Sequence, residues 1–224
     1  MPTTDLSRRI AADLLSIRAV FLRPEEPFTW ASGILSPVYC DNRLTLSDTL
    51  VRRHVEEGFA MLIRAKYPQC EMLMGTSTSG IPHAAIAAHL LDLPMGYVRG
   101  GAAKAHGRNK QIEGALLPGQ KVVVVEDLVS TGGSCIEVAE VLREAGADVL
   151  GIVSIFTYGM RKGLENLAAA NVENTSLTTF DALVEVAAET GYIKPEAKAA
   201  LLAFRDDPAD GGWRERLQSG SLVL

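Results

Sequence analysis

Positive charge is in short supply in this chain. Its 22 Lys and Arg are outnumbered by 27 Asp and Glu, a net charge of −5, so it lacks the basic surplus that neutralising a nucleic-acid backbone requires. Cysteine is scarce too. Cys40, Cys70 and Cys135 are widely spaced and odd in number; they form no CxxC pair and no zinc-like spacing, and they read as buried thiols of a reducing compartment. There is no long apolar run either. The stretch MPTTDLSRRIAADLLSIRAVFL is broken by Arg8, Arg9, Asp13 and Arg18, which argues against a signal-peptide core, and nothing approaches the length of a membrane span. The expected location is the cytoplasm, with neither nucleic acid nor membrane as partner. No internal repeat and no low-complexity tract interrupts the chain.

What remains is an ordinary globular composition. The 224 residues are 47% apolar and 22% charged, enough for one sizeable α/β domain with a short appendage. Leu6, Ile10, Leu14 and Ile17 share a face of a helix predicted over 5–20. Residues 23–43 read as loop, short strand, loop. A second helix is predicted over 47–66, with Ser47 as its N-cap. Strands are expected at 71–75, 95–99, 121–126 and 149–158, and helices from Pro82 and over 135–147, the latter stopped by Gly146. Strand alternating with helix implies a parallel sheet covered on both faces, with right-handed crossovers. The tail, 160–224, is predicted mostly helical.

The stretch VVVVEDLVSTGGS, residues 122–134, combines two opposed features. Ligands of open parallel sheets bind beyond the carboxyl ends of the strands, and Glu126 and Asp127 stand at such an end. Ser130, Thr131, Gly132, Gly133 and Ser134 then lead into a helix, whose exposed N–H groups favour phosphate. Carboxylates repel a phosphate but suit sugar hydroxyls, a metal ion or a developing positive charge. A ligand with a phosphate at one end and a polyol beside it, such as a ribose 5-phosphate, satisfies both halves.

Two further segments bear on chemistry. GTSTSG (75–80) imitates the start of a Walker loop, but Ile81 and Pro82 stand where Lys and Ser/Thr are required, so a nucleoside triphosphatase is excluded. It is either a tight turn or a backbone contact to phosphate. RGGAAKAHGRNKQIEG (99–114) gathers Arg99, Lys104, His106, Arg108 and Lys110 against Glu113 alone. A glycine-rich cationic loop of this length is either solvated surface or a lid over an anion. His54, His83 and His89 have no ligand spacing and read as structural or exposed.

Together the three segments resemble the type I phosphoribosyltransferases, VVVVEDLVSTGGS matching their phosphoribosyl pyrophosphate (PRPP) signature. FTWASGILSPVYCDNR and KAHGRNKQIEG resemble orotate phosphoribosyltransferases more narrowly. The resemblance implies transfer of a phosphoribosyl group from PRPP to orotate, with magnesium, in pyrimidine synthesis. It implies a parallel-sheet core (about 45–160) under a hood from about 1–44 and 161–224, within a single domain. It also implies a homodimer in which loop 99–114 closes over the neighbouring subunit's site. Glu126 and Asp127 would hold the ribose hydroxyls and Ser130 to Ser134 the 5′-phosphate, with Leu128 and Val129 also among the PRPP-binding residues. Thr78 and Ser79 would meet the pyrophosphate arm, and Arg99, Lys104 and His106 would engage the leaving pyrophosphate. Lys104, Glu126 and Asp127 are the expected catalytic residues. Ser130 aligns with an orotate contact. Ala31 and Gly100 replace lysines of one branch, the Arg99–Lys104 spacing is one residue longer than that pattern, and Thr78-Ser79 replaces its tyrosine–lysine pair. Orotate's carboxylate is thereby left without its usual partner, for which Arg43 is the candidate, a structural salt bridge being the other reading of that residue. A phosphoribosyltransferase for another base, or a PRPP-binding regulator without activity, are the alternatives.

Overall fold

The computed structural model describes residues 4–29, 35–100 and 111–220. In chain order these form α1 (Thr4–Ser16), β1 (Val20–Leu22), β2 (Phe28–Thr29), β3 (Leu35–Ser36), β4 (Val38–Cys40), a 3-10 helix (Asn42–Ser47), α2 (Thr49–Lys66), β5 (Met72–Thr76), α3 (Gly80–Leu91), β6 (Met95–Val98) and β7 (Ile112–Glu113). β8 (Lys121–Val129), α4 (Gly133–Glu144), β9 (Asp148–Thr157), α5 (Arg161–Ala169), β10 (Asn174–Thr179), α6 (Phe180–Glu189), α7 (Ala197–Asp206) and α8 (Trp213–Gly220) follow.

The main sheet runs in the order β10-β9-β8-β5-β6-β7. All neighbours are parallel except β7, which returns antiparallel to β6. β8 is central, and its sequence shows why. Val122, Val123, Val124 and Val125 are all fully buried, as a parallel strand covered on both faces requires. Val123 and Val125 join a cluster with Val55 and Phe59 of α2 and Ala84 and Ala87 of α3. Val122 and Val124 join a second cluster with Val138 and Leu142 of α4. The α/β expectation is thus met, with helices on both faces.

Several boundaries depart from the sequence reading. α1 ends at Ser16 because Arg18 takes a left-handed conformation (φ 57°) that starts the chain toward β1. Asp48, not Ser47, caps α2, its side chain accepting from the N–H groups of Leu50 and Val51. Pro82 does not begin α3 but lies inside its first turn. Residues 20–40 build two short antiparallel ladders, β1–β4 and β2–β3. In the tail, β10 is a strand where helix was expected. Apart from Leu177 its residues are polar, yet Thr175, Ser176 and Thr178 are buried because each hydroxyl finds a partner: Lys66 Nζ at 2.6 Å, Ser154 Oγ at 2.6 Å and Ser7 Oγ at 3.3 Å. The three cysteines are free, and burial raises each thiol above its ordinary pKa. Among the described residues no helix is long and apolar enough to cross a membrane.

Gly80 fixes the seat of α3 on the sheet. A Cβ there would lie 2.3 Å from the Val125 carbonyl oxygen and 2.5 Å from Thr76 Oγ1, so backbone must move. Gly80→Ala is expected to lower unfolding free energy by about 1–3 kcal/mol, as overpacking does. A urea midpoint equal to wild type would contradict this.

Candidate active site

β8 outruns β5. Their pairing ends at Gly75 with Val125, whereas the β8–β9 ladder continues to Val129 with Thr157. Residues 126–129 therefore have a strand neighbour on one side only, and side chains take over on the other. Thr76 Oγ1, at the end of β5, donates to Glu126 Oε1 at 2.6 Å. The Asp127 N–H donates to the same oxygen at 3.0 Å, and Ser134 Oγ donates to Glu126 Oε2 at 3.0 Å. Glu126 is 4% exposed, and these donors satisfy a carboxylate that burial would otherwise penalise. The Asp127 carbonyl accepts from Asn42 Nδ2 at 2.8 Å.

The two acids are not equivalent. Among the described residues, no comparable set of side-chain donors meets the Asp127 carboxyl. Burial, then its hydrogen bond with Glu126, then the Glu126 charge raise the Asp127 pKa to about 7. Leu128 and Val129 turn their side chains into the two apolar clusters, so what they offer a ligand is backbone.

Beyond Val129 the chain passes Ser130 and Thr131 to Gly132, whose φ of 80° suits glycine and whose position caps α4. α5 braces this turn from behind. A Cβ on Gly163 would stand 2.3 Å from the Ser130 carbonyl oxygen, and Asn166 Nδ2 donates to the Thr131 carbonyl at 2.9 Å. On the front, an added Cβ at Gly133 would meet nothing within 4 Å. A braced turn at the N-terminus of a helix, open in front, is suited to an anion. Ser134 commits its one hydroxyl proton to Glu126, which leaves Ser130, Thr131 and backbone N–H groups as donors toward an anion.

The second turn lies at the end of the adjacent strand. The Ser77–Thr78 peptide is cis, and Ser79 is the N-cap of α3. Ser77 Oγ accepts from the Gly100 N–H at 2.5 Å, which ties this turn to the start of the cationic loop. Arg99 pairs with Glu113 (3.2 Å) and exchanges backbone and side-chain bonds with Gln111. Glu126 to Ser134, Thr78, Ser79 and Arg99 are therefore grouped at the carboxyl ends of β8, β5 and β6. Lys104, His106 and Ala31 lie outside the described residues. Arg43 Nε and Nη2 fork onto the Asp41 carboxylate at 2.6 and 2.8 Å, and the guanidinium remains mostly exposed. Sequence reasoning overlooked Thr76, Asn42, Gly163 and Asn166. Only Thr76 and Asn42 stood beside residues it had singled out.

Residues 50–186 match the family model of the phosphoribosyl transferase domain. The orotate phosphoribosyltransferase of Bacillus subtilis (strain 168) is 54% identical over 208 residues, which cover 93% of this chain and 96% of that one. The chain belongs to the orotate phosphoribosyltransferases. Among solved structures, the orotate phosphoribosyltransferase from Aeropyrum pernix superposes with a TM-score of 0.71 at 31% identity over 82% of this chain and 99% of that one. The Leishmania donovani UMP synthase superposes with a TM-score of 0.75 at 26% identity over 89% of this chain, which spans 42% of that longer chain. Against this family background, the overrun of β8 past β5 is what leaves the acids and the glycine turn beyond the last β5 pairing, with a strand neighbour on one side only.

The raised pKa of Asp127 has a consequence for stability. The folded chain holds its proton more tightly than the unfolded chain, so the contribution is complete below the ordinary carboxylate pKa and is lost as pH rises through about 7. Asp127→Asn keeps the neutral shape at every pH. It is expected to melt higher than wild type at about pH 8, with the difference shrinking as pH falls toward about 4. Calorimetry at both ends checks this, and a pH-independent difference would contradict it.

Proposed function

We propose that this chain joins orotate to the ribosyl C1 of PRPP, giving orotidine 5′-monophosphate and pyrophosphate in pyrimidine synthesis. The observation that carries the reading is the pairing, at one strand end, of a braced anion turn with a carboxyl pair (Glu126 and Asp127), in a chain 54% identical to named orotate phosphoribosyltransferases.

The residues divide the work by charge. The turn Ser130–Ser134 binds the 5′-phosphate, Ser130 also reaching toward orotate, and the backbone of Leu128 and Val129 lines the approach. Asp127 faces the ribose hydroxyls, and Glu126, gripped by Thr76 and Ser134, holds the strand end beneath them. When the bond from C1 to pyrophosphate breaks, positive charge develops on the sugar. An acid whose ionised form is disfavoured in the resting site gains most from that charge, so Asp127 stabilises the transition state more than the ground state. Thr78 and Ser79 hold the pyrophosphate arm, and Arg99, Lys104 and His106 offset the negative charge of the leaving group. Loop 99–114 excludes water from the ribosyl centre, in this reading over the neighbouring subunit of a homodimer. Arg43 takes the orotate carboxylate. Residues 1–44 and part of 161–224 form the hood over a core of 45–160 extended by β10, which belongs to the main sheet, and the cytoplasm is the compartment.

Magnesium fits this site as a companion of the substrate. Among the described residues no cluster of three or more His, Cys, Asp or Glu could hold a metal. Magnesium needs no such cage, because it keeps waters and is shared between one or two carboxylates and substrate phosphates. Asp127, unlike the fully engaged Glu126, has oxygens to offer. When bound, the ion would neutralise charge on the pyrophosphate.

Purified protein with PRPP, magnesium and each of orotate, uracil and the purine bases, followed by orotate absorbance and pyrophosphate release, tests the reading. Turnover with orotate is expected; turnover with another base alone, or PRPP binding without turnover, would replace it. Lys104→Ala is expected to lower turnover roughly 10²- to 10³-fold, the usual cost of one transition-state donor. Near-normal rates would remove Lys104 from the mechanism.

A further inference from the structure

Asn42 belongs to the 3-10 helix Asn42–Ser47, far from the site in sequence, yet its side chain ends on the site strand. The residue is 1% exposed. Nδ2 donates to the Asp127 carbonyl at 2.8 Å across 85 positions of sequence, and Oδ1 accepts from Cys40 Sγ at 3.3 Å. The amide is thus oriented from its far side. The backbone carbonyl of Asn42 accepts from Thr45 Oγ1 at 2.6 Å, a buried bond that fixes the helical turn, and Asp41 caps the turn through the Arg43 N–H at 3.2 Å. The amide donor fills a specific gap. At Asp127 the strand has already lost its β5 neighbour, so its carbonyl meets a side chain where a ladder would have continued.

We infer that Asn42 is a positioning residue for Asp127, setting the backbone from which the carboxyl is aimed at the ribosyl centre. This rests on the reading given under Proposed function. A buried amide oriented on both sides is stiff, and the Asp127 carboxyl, which among the described residues meets no side-chain donors comparable to those on Glu126 and is hydrogen-bonded by the Asp127 and Leu128 backbone, depends on its main chain for direction. Glu126 has no such dependence, because Thr76 and Ser134 grip its carboxylate directly. The link also joins segment 38–43, which carries Arg43, to the acid that would stabilise the sugar. The base-side and sugar-side halves of the site are therefore in mechanical register through one side chain.

A double-mutant cycle tests this on whichever base the wild type turns over, so that absence of orotate turnover sinks the proposed reaction and leaves the cycle to be judged separately. Asn42→Ala is expected to lower kcat roughly 10- to 100-fold, the cost of a small misplacement of a reacting group, with the KM for PRPP and the PRPP-binding stoichiometry unchanged. In the Asp127→Asn background the same change is expected to cost less than about twofold, because the residue it acts through is already disabled. Asn42→Leu, which keeps the volume without the donor, repeats the cycle should the alanine variant melt low. The inference is overturned if the loss in kcat only tracks the fraction of chains that bind PRPP. It is also overturned if the loss is as large in the Asp127→Asn background as in the wild type.

Discussion

The Glu126 carboxylate receives donors from the end of β5, from the first turn of α4 and from the next residue of its own strand. A buried carboxylate must collect such donors or give up its charge, and the elements that supply them lose the freedom to move independently. The two turns of the site, one after β5 and one after β8, are thereby held at a fixed separation by a group that lies between them. Gly80 makes this possible, since any side chain there would push α3 off the Val125 carbonyl and off Thr76 itself. Glu126 is in this sense spent on architecture.

Its neighbour is left in the opposite condition. Asp127 is half-buried and feels the Glu126 charge, and among the described residues its carboxyl meets no comparable set of side-chain donors. Adjacent residues of one strand thus hold two different kinds of acid, one met by side-chain donors and one whose ionised form is disfavoured. A site whose transition state is more positive than its ground state is served by that inequality, because a fully satisfied acid has little left to offer when the charge appears. In the proposed reaction the cationic segment would supply the opposite sign toward the leaving pyrophosphate. The overall acidity of the chain does not conflict with a polyanionic substrate, since only local charge is felt across a few ångströms of low-dielectric site.

β8 was legible in the sequence because a strand buried on both faces has to be apolar at every position, and a run of valines leaves little other choice. α4 was legible through its periodicity and Gly146. β10 was not, since its burial relies on hydroxyl pairs with Lys66, Ser154 and Ser7, which sit in other elements. The turn 130–134 announced itself through small residues at a strand end, and so did the acids. The asymmetry between those acids was invisible, because it follows from where β5 stops. Asn42 was invisible for a related reason: its partner is 85 residues away, and no spacing rule links an amide to a carbonyl. Arg43, one position on, drew attention by its charge alone, and the structure sets that charge against Asp41.

The neck of the cationic segment carries a last implication. Val98 pairs with Ile112, Arg99 with Gln111, and Gly100 with Ser77, so both strands leading into residues 101–110 are fastened before that segment begins. For a segment fastened at both ends, closure entropy changes by only about 0.6 kcal/mol per doubling of length. One residue more or fewer therefore changes that closure cost very little. On that term the sheet is indifferent to a one-residue difference in the distance from Arg99 to Lys104.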